Sequence, residues 1–206
     1  MNLSCPRKHA HAKDAMLLFI EKCKQNKVTT ILDVGAGEKQ YHSNDLRREG
    51  FEVYTNDFFN TNDFVGSYTD LPTFKNPFDA IWCSHVLEHQ LNVNTFLTRI
   101  HTDLKEGGIL AITVPPAKDN IVGGHVSLWN AGLMLYNLIL AGFDCSQASV
   151  ATYGYNVSVV VQKKSIKLPE LVFDSGDIET LTPYFPAALN IRRGSFNVII
   201  ERINWK

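Results

Sequence analysis

The chain has 206 residues, a length that suits one domain with an appendage and can enclose a full hydrophobic core. Its 45% apolar and 20% charged residues are ordinary globular values, and 20 basic against 21 acidic side chains leave a net charge of -1. That balance excludes a bulk field for capturing nucleic acid or an anionic membrane, although a local patch stays open. No apolar run approaches the roughly 18 residues needed to cross a bilayer. The opening "MNLSCPRKHAHAKDAM" lacks the apolar core of a signal peptide, so a soluble, cytoplasmic protein is expected. Cys5, Cys23, Cys83 and Cys145 are scattered and form no C-x-x-C pair. Two of them lie in apolar surroundings, where a reduced thiol is a small hydrophobe.

In chain order, helical spacing runs from about Lys8 to Asn26, with Met16, Leu17, Phe19, Ile20 and Cys23 on one apolar side. "TTILDVGAG" is a β-branched strand ending in two glycines. "SNDLRREG" has cap-type residues at its start and Gly50 at its end, the marks of a short helix. "FEVYTND", "DFVGS" and "FDAIWCS" are the next strands, the second of them weak. After "HVLEHQ", Phe96, Leu97, Ile100 and Leu104 fall at helical spacing, and glycines are expected to close that helix. "ILAITVPP" is a buried strand stopped by prolines, "NAGLMLYNLILAGF" an apolar helix and "VSVVVQKK" a late strand.

Strands alternating with helices predict an α/β fold with a mostly parallel sheet covered on both faces. Ligands of such sheets bind outside the carboxyl ends of the strands. The alternation breaks after about residue 165. Residues 166–206 carry aromatic and branched side chains and are expected to pack on the core as an extension, leaving 1–165 as the domain.

Gly35 and Gly37 deliver a strand into a tight turn without a Cβ to block a ligand, and the helix beyond offers free N–H groups. A dinucleotide fingerprint needs G-x-G-x-x-G, whereas the register here is G-A-G-E-K-Q, so a nicotinamide oxidoreductase is disfavoured. Asp57 ends the next strand about twenty residues on, where a carboxylate can accept from ribose hydroxyls; a plain turn aspartate is the alternative.

"ILDVGAG", "VYTND", "FDAIWCSHVLEH", "LKEGGILAITVPP" and "AGF" together resemble, in order and spacing, the class I S-adenosylmethionine-dependent methyltransferases. The resemblance covers about Thr30 to Lys164, and its most specific part is "FDAIWCSHVLEH" followed by "LKEGGILAITVP". It implies a Rossmann-like, doubly wound, seven-stranded sheet and S-adenosyl-L-methionine as cofactor. Asp33, Gly35 and Gly37 would shape the loop around the methionine part. Asp57 would hold the ribose. Ser67 and Tyr68 lie where the family has an acidic residue and a backbone amide that reads the adenine edge. Ser84 and His85 would lie near the sulfonium. Lys39 and Ser67 depart from the family pattern, at the last glycine of the loop and at the adenine-side aspartate. They keep alive a degenerate binding or regulatory module as a second function class. "GGHVSLWNAGLMLYNLILAGF" resembles small-molecule members, many of which modify sugars, quinones or other metabolites.

"HVLEH" also fits the H-x-x-E-H of inverted zinc metalloproteases. Such a site needs a sustained helix and a third ligand, whereas here the motif begins where a strand stops; a strand-end turn without metal is expected. Transfer to a hydroxyl requires removal of its proton, a task suited to histidine. His125, beyond the fifth strand, is the first candidate base and His85 the second, while Glu88 is read as structural. "YGYN", Tyr153 to Asn156, is read either as a turn before the last strand or as acceptor-pocket lining. Arg192 and Arg193 could grip an anionic acceptor such as a nucleotide sugar.

Overall fold

A computed structural model describes residues 12–192, 194–197 and 199–205. Its centre is an eight-stranded sheet formed by β1 (Thr30–Val34), β2 (Glu52–Asp57), β3 (Phe64–Val65), β4 (Phe78–Ser84), β5 (Leu104–Val114), β6 (Ser149–Tyr153), β7 (Asn156–Gln162) and β8 (Arg202–Ile203). The strand order is β3-β2-β1-β4-β5-β7-β6-β8. β1 pairs in parallel with both β2 and β4, so the strand order reverses at β1. The pairings of β2 with β3 and β4 with β5 are parallel as well, whereas β7 runs antiparallel to both β5 and β6. The expected doubly wound fold is present. An eighth short strand, contributed by the extension, adds to the seven by pairing β8 with the edge of β6.

The period-two alternation of the strands divides the core into two layers. Leu32, Ile81, Leu110 and Ile112 face a cluster completed by α3 (Val93–Asp103) and α4 (Ala131–Leu140). Ile31, Trp82, Ile109 and Ala111 face a second one completed by α1 (Lys13–Gln25) and by Leu46 of α2 (Tyr41–Arg48). Along α1 the buried stripe takes Leu18 rather than the expected Leu17. The start expected for this helix, residues 8–11, lies outside the described residues. Leu181, Phe185 and Ile200 of the extension are buried in the first cluster.

Two elements differ from the sequence expectation. α2 begins at Tyr41, so Ser43 sits inside the helix, buried, instead of capping it. α3 ends at Asp103 and β5 begins at Leu104, so the glycine pair lies within the strand, where the register against β4 shifts between Phe78 and Ala80. Pairing with β4 draws "LKEGG" into the sheet, an outcome that short-range glycine signals do not register.

The β6–β7 hairpin positions one side of the site. Because β7 runs against β5, Val157 pairs with Val114, and the hairpin turn lands beside the carboxyl end of β5. Tyr153 to Asn156 is that turn, which sends the chain back at the ligand-binding edge of the sheet.

Candidate active site

The first rim is built by the loops after β1 and β2. Gly35 has φ 78° and Gly37 φ 71°, backbone that L side chains rarely adopt. A Cβ on Gly35 would lie 2.1 Å from Cγ2 of Val86, so the loop after β1 touches the loop after β4 only because that atom is missing. Gly37 meets nothing within 4 Å at the same position. The amides of Gly35 and Ala36 donate to the Asn56 carbonyl at 2.9 and 3.1 Å. The Gly37 amide donates to Oδ2 of Asp57 at 2.8 Å, and Oδ1 accepts from the Phe58 amide at 2.7 Å. Asp57 thus ties the two loops together.

Asp33 ends in a fully buried position, where it accepts a short hydrogen bond from the Ser43 hydroxyl. Burial pushes its carboxyl up to about 7, against the lowering pull of Ser43 and of the Arg47 charge. Ser67 precedes a one-turn 3-10 segment, and its hydroxyl pairs with that of Thr69 at 3.2 Å. The Tyr68 ring is buried instead, with its hydroxyl donating to Asp103 at 2.7 Å, so only its backbone is left for ligand recognition. Two buried polar atoms have no hydrogen-bond partner among the described residues here: Oδ1 of Asn62 at this rim, whose amide nitrogen lies 3.4 Å from the Gly37 carbonyl, and the Ser84 hydroxyl at the end of the adjacent β4. Buried polar atoms of this kind call for a partner from outside the chain. Open backbone at Gly37, a carboxylate beside it and orphaned polar atoms fit a polar ligand of nucleoside type.

The second rim follows β4 and β5. The His85 amide still donates to the Thr113 carbonyl at 2.8 Å, then its own φ of 58° turns the chain away from the sheet. A 3-10 turn over Leu87–His89 follows, so "HVLEH" is a strand-end turn, and His85 and His89 do not stack on one face of a helix. Nε2 of His85 contacts Oδ1 of Asn156 at 3.0 Å and Nδ1 lies 3.3 Å from Oε1 of Glu88. Partial burial would lower the His85 pKa, but hydrogen bonding to Glu88 and Asn156 outweighs it and the net shift is upward. Both ring nitrogens are engaged, which makes His85 a poor proton acceptor. The Tyr155 ring lies parallel to it at 6.1 Å, under the Lys118 ammonium at 4.1 Å.

His125 comes from the loop after β5. That loop is pinned where the Val126 amide donates to the Glu88 carbonyl at 2.8 Å and His89 Nδ1 donates to the Gly124 carbonyl at 2.8 Å. The rings of His89 and His125 meet edge to face at 5.0 Å. A small hollow beside them is lined by Pro116, Lys118, His125, Trp129 and Tyr155. A larger recess of about 550 Å³ opens at the opposite end of the sheet, among Lys22, Glu106, Asp144 and Lys163, away from both rims.

Glu88, read as structural, is buried and touches both neighbouring histidines, and Lys118 over the Tyr155 ring had no local signal. Asn156 was named only as part of a turn; its polar side chain in an otherwise apolar strand start was the available signal. Arg192 is exposed and donates to Asn190 at 3.0 Å, whereas Arg193 lies outside the described residues.

A family model described as a methyltransferase domain matches residues 7–144. Among solved structures, a 1,6-didemethyltoxoflavin-N1-methyltransferase from Burkholderia thailandensis, with its substrate and S-adenosylhomocysteine bound, aligns at TM-score 0.59 and 18% identity over 73% of this chain and 79% of that one. An S-adenosylmethionine-dependent methyltransferase from Clostridium acetobutylicum aligns at 0.57 and 12% over 76% and 94%. An O-methyltransferase family protein from B. thailandensis aligns at 0.58 and 15% over 76% and 57%. No curated protein matches the sequence.

Proposed function

The chain belongs to the methyltransferase-domain family, and on that premise we propose that it moves a methyl group from S-adenosylmethionine to a hydroxyl oxygen of a small-molecule or sugar acceptor. It is an S-adenosylmethionine-dependent methyltransferase. The observation that carries the site reading is the Gly37–Asp57 bridge, which joins the loop after β1, the strand where the order reverses, to the end of its neighbour β2.

In this reading Asp33, Gly35 and Gly37 shape the loop around the methionine part of the cofactor. Asp57 takes the ribose hydroxyls by exchanging the Gly37 amide for them or sharing its oxygens. Ser67 and the Tyr68 amide face the adenine edge. The Ser84 hydroxyl, orphaned without ligand, gains its partner near the reacting centre. Residues 1–165 form the catalytic domain and 166–206 an extension upon it.

The bound cofactor supplies an electrophilic methyl on sulfur, so the chain's own contribution is alignment, exclusion of water and handling of the acceptor's proton. Oxygen is favoured as acceptor by the histidines at the second rim. Of the two candidate bases His85 has both nitrogens engaged, which leaves His125, half-buried at the hollow, to accept that proton. No helix among the described residues is long and apolar enough to cross a membrane.

Calorimetry with S-adenosylhomocysteine, followed by transfer from labelled cofactor to a panel of hydroxylated acceptors, tests the proposal. The parent binds and Asp57→Ala weakens binding at least tenfold. His125→Ala binds like the parent and transfers about 100-fold more slowly. Absence of binding heat in the parent would leave a degenerate module instead, and full turnover by His125→Ala would remove the base assignment.

A further inference from the structure

The second rim holds a cluster that the cofactor does not use. Glu88, His89 and His125 each offer one donor atom, and these atoms all lie within 4.8 Å of one another. Donors around a first-row cation bonded at about 2.1 Å stand roughly 3 to 4 Å apart, so small side-chain rotations close the set. The three residues come from two loops, separated by more than thirty positions in sequence and clipped together through the Gly124 and Glu88 carbonyls.

The polar bookkeeping of this cluster is incomplete. His89 gives its Nδ1 proton to the Gly124 carbonyl, so the neutral ring carries its lone pair on Nε2. That lone pair lies 3.8 Å from Oε1 of Glu88, itself an acceptor. Glu88 is 1% exposed, and its other oxygen, Oε2, has no hydrogen-bond partner among the described residues. Buried carboxylates are stable when paired or bonded to metal, and His85 satisfies only one side of this one. An imidazole held by a carbonyl through its far nitrogen is the usual arrangement of a histidine that binds a cation.

We propose that Glu88, His89 and His125 bind one divalent first-row transition cation at the acceptor side of the site. Two imidazoles and one carboxylate suit Zn²⁺ or Mn²⁺ better than Mg²⁺ or Ca²⁺, and three protein ligands leave coordination positions open. The use of the cation rests on the methyltransferase reading: an open position takes the acceptor's hydroxyl oxygen, fixes it and makes it more acidic. The O–H proton then leaves to solvent; in the loaded form His125 is a ligand, and it acts as the base only in the metal-free form. This geometry differs from the H-x-x-E-H helix of a protease, because His85 is not a ligand and the third ligand comes from another loop.

The experiment uses the full chain without an affinity tag, stripped with chelator. Zn²⁺ and Mn²⁺ are titrated by calorimetry, Co²⁺ is followed by its visible absorption, and S-adenosylhomocysteine is titrated into the same samples. One equivalent of Zn²⁺ or Mn²⁺ binds to the parent. Glu88→Gln and His125→Ala each weaken it at least tenfold, and His101→Gln, packed on Phe143 elsewhere, leaves it unchanged. Intact S-adenosylhomocysteine affinity in the variants shows that they fold; His125→Ala, only half-buried, serves if Glu88→Gln does not. A parent that binds S-adenosylhomocysteine but takes up no cation overturns the metal site and spares the methyltransferase reading. Uptake that survives both substitutions overturns it too. Cation uptake at the cluster without S-adenosylhomocysteine binding keeps the metal site and sinks the cofactor reading instead.

Discussion

The two rims of the site are built on different principles. The glycine rim is made of backbone: Gly35, Gly37 and one carboxylate that reaches across from the adjacent strand. The histidine rim is made of side chains drawn from after β4, after β5 and from the start of β7, so that His85 meets Asn156 across 71 positions of sequence and His89 meets His125 across 36. The first depends on atoms that are absent and tolerates few substitutions. The second depends on polar groups that are present, and a change there should alter chemistry before it alters folding.

The sharpest break in this contrast is Gly35→Ala. The new Cβ collides with Val86 at 2.1 Å in backbone already at positive φ, and cofactor binding should disappear together with about 3 kcal/mol of stability. Chemical denaturation and S-adenosylhomocysteine titration read both losses. Asp33→Asn probes the buried carboxylate beneath the same rim. With a folded pKa of about 7, raised from 3.8 chiefly by burial, the folded protein holds a proton that the unfolded chain has already released. Asp33 therefore favours the fold most below about pH 4, and that advantage is lost as pH rises through about 7, up to roughly 4 kcal/mol at most. Thermal melts from pH 4 to 8 should separate progressively, with the asparagine variant gaining on the parent toward pH 8. Parallel curves would mean that Asp33 stays ionised.

On the histidine rim, Asn156→Ala removes the partner of His85 Nε2, 3.0 Å away, without touching the glycine loops. Transfer should slow about tenfold while S-adenosylhomocysteine affinity holds; a fall in affinity instead would merge the two rims into one. The smallest effect belongs to Gly37→Ala. Open space surrounds its missing Cβ, so the cost is the left-handed backbone alone, about 1 kcal/mol, and binding should weaken only modestly.

The same division governs what could be read in advance. Strand-helix alternation and the run "ILDVGAG" are local patterns, fixed by side-chain period and by glycine's lack of Cβ, and both the doubly wound sheet and the first rim follow from them. The place of Asp57 beside the glycine loop was legible from its position at the end of the neighbouring strand. The placement of "LKEGG" inside β5 was not legible, because a pairing partner more than twenty residues away decided it. The inward turn of the Tyr68 ring to Asp103, a partner 35 positions on, was equally illegible, and it leaves untouched the backbone amide expected to read the adenine edge.

Sequence by itself determined the α/β class, the methyltransferase family and the juxtaposition of the glycine loop with Asp57, since each rests on short-range periodicity or on motifs at the ends of neighbouring strands. Tertiary structure alone decided that Glu88, His89 and His125 form one polar group, and that an antiparallel final hairpin would set Asn156 against His85. The physical reason is distance along the chain: contacts between loops depend on sheet order and strand direction, and no local spacing encodes either.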